Sequence, residues 1–391
     1  MRILQIIPVF SDPFGGPVTV VRSISKELAK RHEVTVYTTT ALDSKHDIPP
    51  NECEKDGYKI IYFDRSIKPL CYSELLGPLN FSFEMARAIK NHISEFDVVH
   101  VHSWQQFPEI IVHHYAIKYR IPYTLQVHGS LTRIGAKKKL KLLYDILLGY
   151  QVLMDASKLI ALHKVEAEQY KAIGIPEEKI DIIPNGIDLS EYANLPPKGY
   201  FKKKFGIPEE KKIILYLGRI HKTKGIDFLI KAYAHLTKRM GVKGTALVIA
   251  GPDDGYLNEA KVLVKSLNIA ESVIFTGFIG REDKLKALVD AEVFVTPSFY
   301  GFPVTFLEAC ATGVPIVTTS MGDSLEWIDG KAGYVSKPSV KDFTEKICTI
   351  LNKEIRKNIS NNCLNLAKEF SIEKVVCKLE RVYKEVLNRQ N

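Results

Sequence analysis

The sequence predicts an α/β protein made of two Rossmann-like domains, and three observations carry that prediction. Short β-branched and aromatic runs alternate with helical patterns from the first residues on, the arrangement that builds parallel sheets. The alternation halts at a polar, proline-bearing stretch, Leu189 to Gly199, and then starts again. At 391 residues the chain exceeds what one hydrophobic core organises. We therefore expect one domain over 1–190 and a second over 191–370.

Composition fits this picture and narrows the partners. Hydrophobic residues make up 46% and charged residues 25%, ordinary for a globular protein. No window holds about 18 consecutive apolar residues, so no spanning helix is expected. The N-terminus M-R-I-L-Q-I-I-P-V-F is followed by Asp12-Pro13 and reads as a first strand, not a signal peptide. Cysteines 53, 71, 310, 348, 363 and 377 form no C-x-x-C pair, which predicts reduced thiols, a cytoplasmic setting and no structural zinc. The net charge of +9 favours polyanions: nucleotide phosphates, anionic lipid or nucleic acid.

Taken in order, Arg2 to Phe10 is a buried strand. Gly15-Gly16-Pro17 is a tight turn, and Val18 to Arg31 a helix. Glu33 to Thr38 is the second strand, Thr39 to Asp56 a polar loop, Tyr58 to Phe63 a strand and Asn80 to Ile93 a helix. In Asp97 to His102, alternation puts His100 and His102 on one face of a strand. No cysteine or carboxylate stands at metal-ligand spacing, so these read as structural or substrate-lining histidines. His113-His114 falls on the helix that follows. Tyr123 to Val127 is a strand that delivers His128-Gly129-Ser130 at its carboxyl end, where open α/β sheets gather ligands. In Lys137 to Leu148, four lysines stand beside a dense apolar run. The segment reads either as a half-buried helix with a charged tip or as a basic amphipathic helix on an anionic membrane surface.

Lys158 to Leu162 is a strand, His163 to Ala172 a helix and Lys179 to Ile183 a strand, closed by Pro184-Asn185-Gly186-Ile187-Asp188. Past the linker, Ile213 to Leu217 is a strand, Gly218 to Gly225 a loop and Asp227 to Lys238 a helix. Arg219 offers a planar fork of donors and Lys224 a mobile point charge, a pair suited to a diphosphate at a helix start. Leu247 to Gly251 and Val273 to Thr276 are strands, the latter followed by Gly277-Phe278, and Asp283 to Leu288 is a helix. Val293 to Thr296 is a strand, Val304 to Thr312 a helix that Pro303 opens, and Val314 to Thr318 a strand. A strand–loop–helix unit of this kind aims free N–H groups at an anion, and Glu308 stands about one turn into the helix. Met321 to Tyr334 is a loop. Helices complete the chain, the last from Ile372 to Leu387.

The stretch P-S-F-Y-G-F-P-V-T-F-L-E-A-C-A-T-G-V-P-I-V, Pro297 to Val317, resembles the Glu-x7-Glu signature of retaining glycosyltransferases with the GT-B fold, glycosyltransferase family 4. The D-V-V-H-x-H, P-N-G-I-D and G-R-x-x-x-x-K-G strings resemble the same family and extend the likeness over nearly the whole chain. One position departs: the first Glu of the pair is Tyr300 here, and Glu308 is the second.

The resemblance implies two Rossmann-like domains facing each other across a cleft, with the C-terminal helix, 371–391, crossing back to the first. It implies transfer of a sugar from a nucleotide-diphosphate sugar to a glycan or lipid-linked acceptor, with retention at the anomeric carbon. It implies no cofactor, no metal and no nucleic acid, and a role in polysaccharide or glycolipid synthesis, peripheral at the inner membrane face if Lys137 to Leu148 meets lipid. Arg219 and Lys224 would clamp the diphosphate. Gly15, Gly16 and Gly218 would approach it closely, and Gly277 and Phe278 would receive the base. Glu308 would hold the ribose. His128, Tyr300, the Gly301-Phe302-Pro303 backbone and the N–H groups of Val304 and Thr305 would face the sugar and its phosphate. A GT-B epimerase of sugar nucleotides and a non-catalytic nucleotide-sugar binder are the alternatives.

Overall fold

The computed structural model describes residues 1–42, 46–66, 80–131, 142, 144–299, 301–323 and 325–389. They form two compact units: Met1–Gly186 with Ile372–Asn391, and Ile187–Ser371.

The first unit is built on an eight-stranded sheet. In chain order its strands are β1 (Arg2–Ile6), β2 (Glu33–Thr39), β3 (Asn51–Lys55), β4 (Tyr58–Phe63), β5 (Val98–Val101), β6 (Tyr123–Gln126), β7 (Lys158–Ala161) and β8 (Ile180–Ile182). In space they run β3-β4-β2-β1-β5-β6-β7-β8. Every pairing is parallel except β3 with β4. The central strands β5, β6 and β7 are buried at every position, as parallel strands between helix layers are. Helices at Gly16–Ala29, Phe83–His92, Phe107–Tyr119 and Lys164–Ala172 connect them.

Two details differ from the sequence expectation. The segment read as a loop from Thr39 to Asp56 contains β3, an edge strand that pairs antiparallel with β4. Its turn, Asp56-Gly57, takes positive φ at both residues, the geometry that joins two-residue hairpins. Gly16 and Pro17 are the first helical residues rather than part of the turn. Gly15 alone makes the bend, at φ 76°, with nothing within 4 Å of where a Cβ would stand.

The C-terminal helix, Ile372–Asn388, belongs to this unit. Ile372, Val375, Val376, Leu379, Val382, Tyr383 and Val386 form a buried stripe at three- and four-residue spacing. Val375 packs against Gly186, where a Cβ would come within 3.0 Å of it. Glu380 accepts from Arg31 at 2.9 Å and lies 2.8 Å from the His32 ring, and Lys158 pairs with Glu385 at 3.1 Å.

The second unit has a six-stranded, wholly parallel sheet: β9 (Lys212–Leu217), β10 (Thr245–Ala250), β11 (Val273–Gly277), β12 (Ala291–Thr296), β13 (Ile316–Thr319) and β14 (Gly333–Ser336), in the order β11-β10-β9-β12-β13-β14. Strand β14 lies at the end of the stretch expected to be a loop. In each sheet the order reverses once, at β1/β5 in the first unit and at β9/β12 in the second. Those switch points, at the carboxyl ends of the strands, are where doubly wound sheets open a crevice.

Candidate active site

In the second unit the two loops that leave the switch point touch each other. Strand β9 runs into Gly218–Gly225, and β12 into Pro297–Pro303. Gly225, at φ 68°, sits so close to Pro297 that a Cβ there would stand 3.0 Å from the proline Cβ. Gly218 is held by its N–H to Ala250 O at 3.0 Å, and a Cβ at Gly251 would fall 1.9 Å from Gly218 O. The first loop therefore rests backbone on backbone against the end of β10.

This seat places Arg219 and Lys224 in one electrostatic neighbourhood. Arg219 Nη1 donates to Asp254 Oδ2 at 2.7 Å, with most of the guanidinium side chain exposed. Lys224 is half-buried. Burial first, and the Arg219 charge second, hold its pKa below the ordinary lysine value, while Asp254 acts in the opposite sense. A pair of cations that raise each other's energy in this way is stabilised by an incoming anion.

The helix that follows the second loop supplies backbone donors, while the loop's own Gly301 N–H is taken internally. Gly301, at φ 72°, donates its N–H to Asp323 Oδ2 at 2.8 Å. Pro303 is the N-cap of the Val304–Ala311 helix, which has no side-chain cap among the described residues, so none of these takes the opening N–H groups at Val304 and Thr305. The Phe302 ring is buried, stacked on Trp327 at 5.2 Å and tilted against Phe370 at 5.2 Å; a ligand can therefore meet only its backbone. Tyr300 lies outside the described residues.

Glu308 stands one turn further along the same helix, 3% exposed. Its Oε1 accepts from Lys284. Its Oε2 is buried and makes no hydrogen bond of ordinary geometry among the described residues, with the Tyr192 hydroxyl near enough to interact with the carboxylate, an acceptor suited to a hydroxyl donor. Beside it a small pocket is lined by Tyr192, Arg281 and Lys284. Burial, then the charges of Glu308 and Glu191, push the Tyr192 phenol pKa far up. At the end of β11, Gly277 takes φ 70°, and Phe278 presents an exposed ring beyond it.

In the first unit, Gly15 and Gly16 follow β1 and His128 follows β6. His128 has φ 52°, a left-handed backbone unusual for a residue other than glycine, and Gly129 follows at 77°. Glu166, wholly buried, fastens this turn: Oε1 accepts from Gly129 N–H at 2.7 Å and Oε2 from Leu162 N–H at 2.6 Å. His100 on β5 and His102 just past its end stand side by side, with ring centroids 3.9 Å apart. His102 Nδ1 lies 3.1 Å from His128 Nε2. Burial lowers the pKa of His100 and of His128 to about 3, and that of His102 well below the usual histidine range, so all three rings are neutral. Among the described residues no group of three or more His, Cys, Asp or Glu side chains is arranged to hold a metal ion.

Sequence reading missed Asp254, Lys284, Asp323 and Glu166. Each approaches the site from a separate loop or helix, and none carries a local signature. Of the Lys137–Leu148 segment, residues 137–141 and 143 lie outside the described residues. Leu147 and Leu148 are exposed, and no described helix is long and apolar enough to cross a membrane.

Two doubly wound units, with a basic loop and an open helix start meeting at the second sheet's switch point, define a nucleotide-sugar enzyme of the GT-B type. Residues 14–191 match Glycosyltransferase Family 4, and residues 198–366 match Glycosyl transferases group 1. The chain belongs to that family and is a glycosyltransferase that uses nucleotide-sugar donors. An uncharacterised glycosyltransferase of Methanocaldococcus jannaschii is 31% identical over 80% of this chain and 79% of its own. The UDP-Gal:alpha-D-GlcNAc-diphosphoundecaprenol alpha-1,3-galactosyltransferase of Escherichia coli is 24% identical over 86% and 90%. The fold matches Anabaena HepE, solved with UDP and glucose, at a TM-score of 0.77 and 17% identity, covering 98% of this chain and all of that one.

Proposed function

We propose that this glycosyltransferase moves a sugar from a nucleotide-diphosphate sugar to a hydroxyl of a glycan or lipid-linked acceptor, with retention at the anomeric carbon and without a metal ion. The observation that carries this is the contact of the two loops at the β9/β12 switch point. It gathers Arg219, Lys224 and an uncapped helix start where a diphosphate would sit. The bond from the anomeric carbon to the phosphate oxygen breaks, and the bond to the acceptor oxygen forms on the same face. The acceptor's proton leaves with the phosphate oxygen. Arg219, Lys224 and the Val304 and Thr305 N–H groups stabilise the charge that develops on the leaving diphosphate. Glu308 binds the ribose through Oε2, with Lys284 holding the other oxygen. Phe278 offers the base a flat surface. The Gly301–Pro303 backbone orients the sugar, and the family resemblance assigns His128 a contact with it as well. The acceptor lies against the first unit near Gly15 and Gly16. The uridine nucleotides named for the relative from Escherichia coli and bound to HepE make UDP-sugars the first donors to try.

The test is incubation with a panel of nucleotide sugars and candidate acceptors, following released nucleotide diphosphate and the linkage formed. A transferase yields the diphosphate and an α-configured glycoside from an α-configured donor. A new sugar nucleotide without release would make it an epimerase, and binding with neither product would make it a binder. Either result overturns the proposal.

A further inference from the structure

His128 is the end of a buried hydrogen-bond chain that reaches the C-terminal helix. Tyr383 Oη lies 2.6 Å from His100 Nδ1 and 3.4 Å from Gln5 Nε2. Gln5 Oε1 lies 2.5 Å from His102 Nε2, and His102 Nδ1 lies 3.1 Å from His128 Nε2. Gln5, His100, His102 and Tyr383 are all buried, and 378 positions separate Gln5 from Tyr383 in the chain.

The donors and acceptors along this chain fix one another. The Gln5 amide nitrogen can only donate, so it gives a proton to the Tyr383 oxygen, and Tyr383 in turn gives its own to His100 Nδ1. The Gln5 amide oxygen can only accept, so His102 carries its proton on Nε2. A neutral His102 then has a bare Nδ1, which must receive a proton from its neighbour, His128 Nε2. A neutral His128 that spends its single proton there is bare at Nδ1. The cost of this arrangement is visible: His100 Nε2–H is buried without a partner among the described residues. His128 also sits in a left-handed backbone conformation, the kind of local strain that clusters at functional sites.

We infer that Gln5, His102 and Tyr383 are positioning residues that lock His128 in the tautomer with Nδ1 bare, so that His128 offers the ligand a hydrogen-bond acceptor and takes a sugar hydroxyl as donor. The inference rests on the assignment of His128 to the donor sugar made above. A phosphate or carboxylate oxygen, which has no proton to give, is disfavoured at that position. Substitutions at Gln5 then act through the direction of the chain and not merely through packing. Glu in its place is still an acceptor toward His102. Lys is a donor only and reverses the direction. Met breaks the chain.

Two measurements test this on the full-length protein. The first labels the histidine rings with 15N and records two-bond 1H–15N correlations, which separate bare from protonated ring nitrogens; the His128 signals are those lost in His128→Asn. Nδ1 bare and Nε2 protonated is the expected result, and a protonated Nδ1 overturns the proposal. This readout needs no turnover, so it stands apart from the outcome of the donor panel. The second compares donor kinetics of Gln5→Glu, Gln5→Met and Gln5→Lys. Loss of one hydrogen bond's worth of orientation predicts roughly a 10-fold fall in kcat/KM for Met and at least that for Lys, with Glu within roughly threefold of the parent. Nucleotide diphosphate affinity should be unchanged in all three. Equal losses in all three variants would mean that Gln5 only packs, and would sink the positioning role.

Discussion

Glu166 is the most informative single position for the first unit, because one buried carboxylate holds two backbone donors and, through them, the turn that carries His128. In Glu166→Ala both N–H groups lose their acceptor. The Leu162 N–H is buried and stays orphaned, at a cost of about 1–3 kcal/mol, while the Gly129 N–H is half-exposed and regains water, so its loss is nearer 1 kcal/mol. Together these give a destabilisation of about 2–4 kcal/mol. For a unit of about 200 residues each kcal/mol lowers Tm by about 2–4 °C, so the Ala variant should melt roughly 5–15 °C below the parent. Glu166→Gln is the sharper test. An amide presents one acceptor and one donor toward two N–H donors, so one bond survives and the other becomes a repulsive contact. It should fall at least half as far as Ala, although its shape is conserved. Scanning calorimetry with donor kinetics on the same samples reads both consequences. Turnover should drop with Tm, because His128 loses its seat, while nucleotide diphosphate affinity holds. A Gln variant with the parent's Tm and kcat/KM would show that the two hydrogen bonds do not carry the turn.

Four further outcomes are expected. Arg219→Ala and Lys224→Ala should each lower kcat by roughly 10²–10³, the loss from removing one preorganised charge donor, and a full-rate Lys224→Ala enzyme would remove the clamp assignment. Tyr300→Glu should change the ranking of donors by kcat/KM toward common hexoses such as glucose, mannose or N-acetylglucosamine, since a carboxylate accepts two hydroxyl hydrogen bonds where a phenol makes one; identical rankings would take residue 300 out of the sugar site. Acid should destabilise the first unit. The folded-state pKa of His100 is about 3 against about 6.5 unfolded, and that of His102 is lower too, so the unfolded chain binds more protons below about 6.5, and stability falls by about 1.4 kcal/mol per pH unit for each ring as pH drops from 6.5 toward 3. Urea titrations from pH 7 to 4.5 should show this, with a flatter profile in His102→Gln. Charge reversal at Lys137, Lys138 and Lys139 should weaken binding to vesicles containing anionic lipid, each lysine near the surface contributing about 1 kcal/mol, while nucleotide binding persists; a parent protein that ignores such vesicles ends the idea.

The parallel strands were the most legible part of the chain, because strands buried on both faces must be apolar throughout. I-I-L-Y-L in β9 and V-F-V-T in β12 read directly as strands. Strand β3, N-E-C-E-K, did not, because an edge strand open to water carries charges that hide its alternation. The Asp56-Gly57 pair ahead of Tyr58 was the available signal, since that dipeptide favours the φ > 0 turn of a hairpin. In the candidate site, the residues on the Gly218–Gly225 and Pro297–Pro303 loops could be named because their strings are contiguous. Lys284 on Glu308 and Asp323 on Gly301 could not, since the first contact joins two helices and the second two loops, each through a single side chain. The chain from Tyr383 to His128 lay further still from view, because no periodicity connects a residue of the last helix to one in the first strand.

The placement of that last helix bears on how the polypeptide is made. Residues 187–371 form a contiguous unit, and a ribosome finishes them before it reaches Ile372. The amino-terminal unit, though earlier to emerge, therefore waits until residues 372–388 have been made, with the surface meant for Val375, Val376, Leu379 and Val382 uncovered in the meantime. Its assembly is gated by translation, and the nascent protein completes its later half before its earlier one. A message that breaks off short of codon 372 would yield a chain with one finished half and one open half. Such a product would carry an exposed apolar strip and lack Tyr383, so the helix that closes the first unit also registers that synthesis has passed residue 371.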